Sequence, residues 1–202
     1  MNPLVFIAEV MPEAGKDKIN ALRGYFSDEI VNRLDKSPGP GHRLKRVTSR
    51  MMLVRIFNEL GLETSRLKGL HYNPHGKLVT DTGKPHISIS YSTNIVACVV
   101  SSSKVGIDVE DTCYQPAARS VDLLEKLTKR KIKDQLDFFS LWTQIESIAK
   151  LYDDKGLAKI FYGGLLSEKH YTRQFLFKNK YMVSIASATR LNATGQVKTL
   201  MI

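Results

Sequence analysis

Three consecutive segments between His86 and Glu110 have the residue pattern of β-strands, and they constrain the fold more than any other part of the chain. In HISISYS, apolar residues alternate with serines, and the apolar segment IVACVVS follows after two residues. Because successive side chains of a strand point to opposite faces, these two segments predict a β-hairpin. The third segment, KVGIDVE, places Gly106, Asp108 and Glu110 together on the face opposite its aliphatic residues.

Helical periodicity flanks these strands on both sides. We predict helices over residues 16–36, 42–61, 122–133 and 138–152, a strand at 4–10 and a second hairpin formed by RQFLFKN and YMVSIAS. This mixture predicts an α+β fold. The similarity between SISYS…IVACVVS and YMVSIAS indicates two similar halves, which we place at residues 1–111 and 112–202.

The charge balance predicts an anionic partner. The 202 residues carry 30 Lys+Arg against 20 Asp+Glu, a formal net charge of +10, which suits nucleic acid, a phosphorylated small molecule, an acidic protein or a membrane surface. A hydrophobic content of 43% excludes a mainly disordered chain. We interpret the apolar stretch at 4–10 as a strand and not as a signal peptide, and no apolar run reaches the roughly 18 residues that cross a bilayer, so we expect a cytoplasmic protein.

Carboxylates on one strand face are the first chemical signal. Asp108 and Glu110 are predicted to lie about 7 Å apart, where a cation would relieve their repulsion. Glu146 lies on the flank of an otherwise apolar helix, with Lys150 one turn later. Three oxygen donors without His or Cys suit Mg²⁺ bound together with substrate phosphates. The alternative is a solvated sheet edge and a surface ion pair between Glu146 and Lys150.

Taken in order, these segments resemble the 4′-phosphopantetheinyl transferase superfamily, in its larger type with two halves in one chain. GIDVE at 106–110 resembles that family's G-[IV]-D-[IVL]-E signature, and WTQIESIAK at 142–150 is similar to W-x-x-K-E-A-x-x-K. ISISYS stands in place of a strand ending in S-H-S, HGKL at 75–78 stands near the position of G-K-P, and YMVSIAS looks like the final core strand. The resemblance covers about residues 43–189.

The resemblance implies two α/β halves related by a pseudo-twofold axis, with the active site in the cleft between them. It implies transfer of the 4′-phosphopantetheine arm of coenzyme A to a serine of an acyl or peptidyl carrier protein. Asp108, Glu110 and Glu146 would hold Mg²⁺, and Glu146 would accept the serine proton, directly or through a metal-bound water. Lys150 would contact the phosphates. Further coenzyme A contacts would come from Arg46, Arg50, Lys77, Ser90 and Tyr91.

Three departures from the family pattern bear on activity. Tyr91 replaces the His of S-H-S and Ile145 replaces the first Lys of K-E-A, and each change removes a positive charge. Losing such a contact to an oxyanion costs on the order of 2–4 kcal/mol of transition-state stabilisation. Leu78 replaces the Pro of G-K-P, and a literal GKP at 83–85 makes Lys84 an alternative to Lys77. The chain is therefore an active divergent enzyme, or a paralogue that binds coenzyme A or a carrier protein without efficient transfer.

Two readings of the basic segments remain open. The run at 125–133 is a solvated helix face or a docking surface for an acidic carrier protein. A nucleic-acid-binding protein would use the same basic segments, but zinc-finger spacing, a GXXG loop and an aromatic-rich RNP strand are all missing from the sequence. We therefore expect neither a nucleic-acid nor a membrane partner, and a monomeric protein. Cys98, in an apolar strand, is expected to be a buried structural thiol.

Overall fold

The computed structural model describes residues 1–13, 16–153, 169–191 and 197–202. Its helices are α1 (Lys16–Leu22), α2 (Asp28–Asp35), α3 (Pro40–Glu59), α4 (Ala118–Thr128) and α5 (Gln135–Leu151), with a 3₁₀ helix at Thr64–Gly69. Its strands are β1 (Leu4–Glu9), β2 (Leu70–Tyr72), β3 (Leu78–Thr80), β4 (His86–Tyr91), β5 (Ile95–Ser101), β6 (Val105–Asp111), β7 (Tyr171–Phe177), β8 (Tyr181–Ser187) and β9 (Val197–Leu200). The α+β prediction is confirmed.

Two main sheets organise the chain. The order β4-β5-β1-β9 forms a four-stranded sheet, in which β1 runs antiparallel to β5 and parallel to β9. The antiparallel order β6-β8-β7 forms a three-stranded sheet, and β2 pairs with β3 separately. Both predicted hairpins, β4–β5 and β7–β8, are confirmed. Two strand pairs, β6 with β8 and β9 with β1, join a strand from residues 1–111 to a strand from residues 112–202.

The two sheets pack face to face around a buried aliphatic layer. The face of β6 predicted to be apolar lies in this layer, with Val105, Ile107 and Val109 fully buried. Helices α1, α2 and α3 pack on the other side of the four-stranded sheet, while α4 and α5 pack on the other side of the three-stranded sheet. Burying one large aliphatic side chain contributes about 1.5–3 kcal/mol, so these layers supply the main driving force for folding.

Two helix predictions need correction. The helix predicted over 16–36 is two helices, α1 and α2, because the chain turns at 23–27, where the Phe26 amide donates to the Leu22 carbonyl and Ser27 precedes α2. The basic helix predicted over 122–133 begins earlier and ends at Thr128, since Lys129 adopts a left-handed conformation with φ 53°. No helix in the described ranges is long and apolar enough to span a membrane.

Helix α5 lies with its backbone directly on β6, at a position that only glycine fits. A Cβ atom on Gly106 would stand 2.0 Å from the Ser147 carbonyl oxygen and 2.6 Å from the Leu151 amide nitrogen. This contact brings the C-terminal half of α5, which carries Glu146 and Lys150, against the polar face of β6. The glycine of GIDVE is therefore required by close approach of a helix.

A hydroxyl joins the edges of the two sheets. Strands β4 and β6 are edge strands of different sheets, and the Ile107 amide donates to Ser88 Oγ at 3.1 Å. At the end of β6, the buried Asp111 carboxylate accepts hydrogen bonds from Thr93 Oγ1 and the Cys113 amide and pairs with Lys180 at 3.0 Å. These contacts fix β4 beside β6.

We predict that Gly106→Ala lowers the free energy of unfolding by about 3 kcal/mol, the upper end of the typical cost of overpacking, because a helix backbone must move. Urea denaturation followed by circular dichroism measures this change. Gly41→Ala is the matched control, because a Cβ at Gly41, also in a regular element, meets nothing within 4 Å. An unfolding curve for Gly106→Ala that matches the control would contradict the packing of α5 on β6.

Candidate functional site

A cavity of about 350 Å³ opens between α3, the β2–β3 turn, β4 and α5. It is lined by Arg46, Arg50, Tyr72, His75, Gly76, Lys77, Leu78, Ile87, Ser88, Ile89, Tyr91, Glu146, Lys150 and Asp153. Six of the residues predicted to act at a site line it: Arg46, Arg50, Lys77, Tyr91, Glu146 and Lys150. The fold therefore brings together segments that are more than a hundred residues apart in sequence, from Arg46 to Asp153.

The other three predicted site residues, Ser90, Asp108 and Glu110, do not line the cavity, but Ser90 and Asp108 contact Lys150, which does. Asp108 is 4% exposed, and its Oδ1 accepts a hydrogen bond from Ser90 Oγ at 2.8 Å and pairs with Lys150 Nζ at 2.6 Å. The Lys150 ammonium also donates to Ser90 Oγ at 2.9 Å. Asp108 Oδ2 is buried and has no hydrogen-bond partner in the described part of the chain. Three predicted site residues thus contact one another: Ser90 from β4, Asp108 from β6 and Lys150 from α5.

Glu110 and Glu146 complete a cluster of acidic groups around Asp108. Burial raises the pKa of Glu110 to about 7, with repulsion from Asp108 and Glu146 acting in the same direction and Lys150 opposing it. Burial and the charge of Asp108 also raise the pKa of Glu146. A cation is therefore favoured here beyond the single ammonium of Lys150.

The donor set suits Mg²⁺ only if other ligands join it. Across residues 1–13, 16–153, 169–191 and 197–202, no three His, Cys, Asp or Glu side chains are grouped to hold a metal ion by themselves. Mg²⁺ in proteins usually binds one or two carboxylates and takes its remaining oxygens from substrate phosphates and water. The unpartnered Asp108 Oδ2, with Glu110 and Glu146 near enough to interact electrostatically with Asp108, fits such a shared site.

Arg50 brings a buried positive charge to the opposite wall of the cavity. It is 2% exposed, and its guanidinium donates to the Tyr72 hydroxyl and to Ser49 Oγ. A hydrogen bond of 3.1 Å joins Ser49 Oγ to the Tyr91 hydroxyl. No described carboxylate lies within ion-pair distance of Arg50, and its Nε has no described partner. A buried charge without a counterion favours an anionic ligand.

Tyr91 and Ile145, the two residues that stand where the family pattern has a positive charge, have different surroundings. Tyr91 faces the cavity and is linked through Ser49 to Arg50, so a cation stands close to the position that lacks one. Ile145 is 2% exposed and packs in the hydrophobic core between α5 and the three-stranded sheet. Its side chain continues the apolar face of the helix, as the sequence predicts, and does not line the cavity.

Lys77 has intramolecular partners. Its ammonium pairs with Asp153 Oδ1 at 2.7 Å and donates to the Lys150 carbonyl at 2.7 Å. It therefore ties the β2–β3 turn to the end of α5. Lys84, the alternative to Lys77, does not line the cavity.

Three residues of the site were not predicted from the sequence. Tyr72 and Asp153 line the cavity, and Ser49 contacts the lining residues Arg50 and Tyr91. Their roles depend on contacts between distant segments. The sequence signal that could have indicated a site role for Tyr72 is its position just before the HGKL segment. Cys98 is 1% exposed, and burial raises the pKa of its thiol to about 12, which agrees with the predicted structural role.

Comparison with known proteins adds no assignment: no protein-family model matches the chain, and no curated protein matches it.

We predict that Glu110→Gln flattens the pH dependence of stability in metal-free buffer. With a pKa raised from 4.5 to about 7, the folded state binds the proton more tightly than the unfolded state, so unfolding free energy falls as pH rises between these values. The difference between Glu110→Gln and wild type should change by on the order of 2–3 kcal/mol between pH 4 and pH 8.

Urea titrations at several pH values measure this difference, with Glu13→Gln at an exposed position as the control. Parallel pH profiles for wild type and Glu110→Gln would show that Glu110 is not held in a repulsive, desolvated environment.

Proposed function

We propose that this protein transfers the 4′-phosphopantetheine arm of coenzyme A to a serine of an acyl or peptidyl carrier protein. The observation that carries the proposal is the meeting of Ser90, Asp108 and Lys150 at the edge of a cation-lined cavity. These residues come from three separate segments that resemble the transferase signatures in order and spacing. A cavity with carboxylates on one side and Arg46 and Arg50 on another suits a multiply phosphorylated ligand.

In this reaction the carrier serine oxygen attacks the β-phosphorus of coenzyme A, the phosphorus next to the pantetheine arm. A new P–O bond forms to serine, the P–O bond to the α-phosphate breaks, and 3′,5′-adenosine bisphosphate leaves. Bound Mg²⁺ would neutralise charge on the diphosphate. Asp108, Glu110 and Glu146 are the residues that would hold it, with phosphate oxygens completing its ligands.

Glu146 is the proposed acceptor of the serine proton. It lines the cavity, and burial and Asp108 raise its pKa, which makes the carboxylate a stronger base. Lys150 lines the same cavity and would stabilise negative charge on the phosphates. Ser90, Arg46, Arg50 and Tyr91 would orient the diphosphate and the remaining phosphate.

The proposal includes two similar halves and an acidic carrier protein as the partner. One helix layer on each of two facing sheets is compatible with two halves related by a pseudo-twofold axis, with the ligand bound between them. An acidic carrier protein suits the exposed lysines at the end of α4, although Lys131 and Arg130 already pair with Glu125 and Asp137. We propose a cytoplasmic monomer that uses no nucleic acid.

The alternative within the same family is a paralogue that binds coenzyme A without transferring its arm. Lys77 favours this alternative, because its ammonium is already engaged by Asp153. Arg50 favours transfer, since it brings a positive charge close to Tyr91.

We predict that incubation with coenzyme A, Mg²⁺ and native apo carrier proteins adds the mass of phosphopantetheine to a carrier serine, measured by intact-protein mass spectrometry. Asp108→Asn should reduce the rate at least about 100-fold, because it removes a carboxylate that would hold the Mg²⁺ needed to neutralise the diphosphate. Asp35→Asn, at a surface pair with Arg43, is the control. Coenzyme A binding without transfer to any native carrier would favour the paralogue, and salt-sensitive nucleic-acid binding without coenzyme A binding would favour the remaining rival.

We further predict that Arg50→Met weakens coenzyme A binding by a factor of about 10–100, the loss expected for a charge-assisted hydrogen bond of about 1.5–3 kcal/mol. Isothermal titration calorimetry measures the affinity. Arg55→Met is the matched control on the same helix, because Arg55 is exposed and donates to the Met201 carbonyl outside the cavity. Equal affinities for the two variants would remove Arg50 from the proposed ligand contacts.

A further inference from the structure

The ammonium of Lys150 lies where a metal ion at Asp108 would also need to be accommodated. Its Nζ is 2.6 Å from Asp108 Oδ1, and the two side chains are 29% and 5% exposed. The same nitrogen contacts Ser90 Oγ at 2.9 Å. In the described chain this is the cation that neutralises Asp108.

A divalent cation arriving alone would meet this ammonium at close range. Like charges a few ångströms apart repel strongly when water is partly excluded, as it is at a carboxylate that is 4% exposed. A phosphate group changes this balance, because it offers Lys150 a second anionic partner inside the cavity that Lys150 lines. The buried Asp108 Oδ2, which has no described partner, would then gain a ligand as well.

We call the contact of Asp108 with Ser90 and Lys150 the Asp108 corner. We propose that this corner binds a divalent cation and a phosphate-bearing ligand together rather than separately, and that Lys150 is the residue that couples them. The inference rests on the proposed function, in that coenzyme A is the phosphate-bearing ligand. Without phosphate, the ammonium holds Asp108 and opposes the metal. With phosphate, the ammonium shifts to the ligand and Asp108 becomes available.

The local structure allows this shift without moving the helix. The Lys150 side chain is partly exposed to the cavity, whereas its main-chain carbonyl is held by Lys77 Nζ at 2.7 Å. Helix α5 is also fixed against Gly106 by backbone contact. Only the flexible end of one side chain must change partners, which is a small and rapid motion.

Mn²⁺ binding, followed by electron paramagnetic resonance with and without coenzyme A, tests the coupling. No carrier protein is present, so no transfer occurs. In the wild type, coenzyme A should tighten Mn²⁺ binding about tenfold or more, and by reciprocity Mn²⁺ should tighten coenzyme A binding by the same factor. In Lys150→Gln, Mn²⁺ alone should bind more tightly than in the wild type, and the effect of coenzyme A should shrink to less than about threefold.

Lys131→Gln is the matched control, because Lys131 Nζ also lies 2.7 Å from a carboxylate oxygen, on Glu125, but at an exposed position. Lys150→Met provides a second variant, and circular dichroism checks that each variant is folded. If coenzyme A binds but leaves Mn²⁺ affinity unchanged in the wild type, or if Lys150→Gln keeps the full coupling, the inference is wrong while the proposed function stands. If the wild type binds neither Mn²⁺ nor coenzyme A, both are wrong.

Discussion

The buried ion pair between Asp108 and Lys150 is the interaction on which the arrangement of the candidate site depends. It joins the edge strand β6 to helix α5, and Ser90 adds strand β4 to the same contact. A buried carboxylate is stable only with a cation or several donors around it, so these elements must meet here. Gly106 makes the meeting possible, because any side chain at that position would push α5 away.

The basic residues behind the net charge of +10 differ in whether they already have a carboxylate partner. Lys131 and Lys77 are paired with carboxylates inside the chain, so they neutralise neighbours before any ligand arrives. Arg50 differs, because it is buried beside the cavity with hydroxyl partners and no described carboxylate. The cavity therefore presents the buried charge of Arg50 together with Glu146 and Lys150, and Lys150 connects it to Asp108, a distribution suited to a phosphate ester that brings its own metal ion.

Local patterns allowed part of this to be predicted from the sequence. Alternation located β4 and β6, and a continuous apolar run located β5. Alternation also placed Asp108 on the polar face of β6, because a strand's two faces follow directly from residue spacing. The break between α1 and α2 and the pairing of β9 with β1 depend on tertiary packing, so residue periodicity alone predicted neither of them. The contacts of Arg50 with Tyr72 and of Lys77 with Asp153 join segments far apart in sequence, and residue spacing carries no signal for them.

The central claim is that one cavity holds the phosphates of coenzyme A between Arg50 and the Asp108 corner. A crystal structure of the protein soaked with coenzyme A and Mn²⁺ tests it directly, because anomalous scattering locates the metal. The account predicts metal density at Asp108, diphosphate oxygens on that metal and the Lys150 ammonium on a phosphate. Coenzyme A bound away from this cavity, or metal and phosphate at separate places with Lys150 still on Asp108, would contradict it.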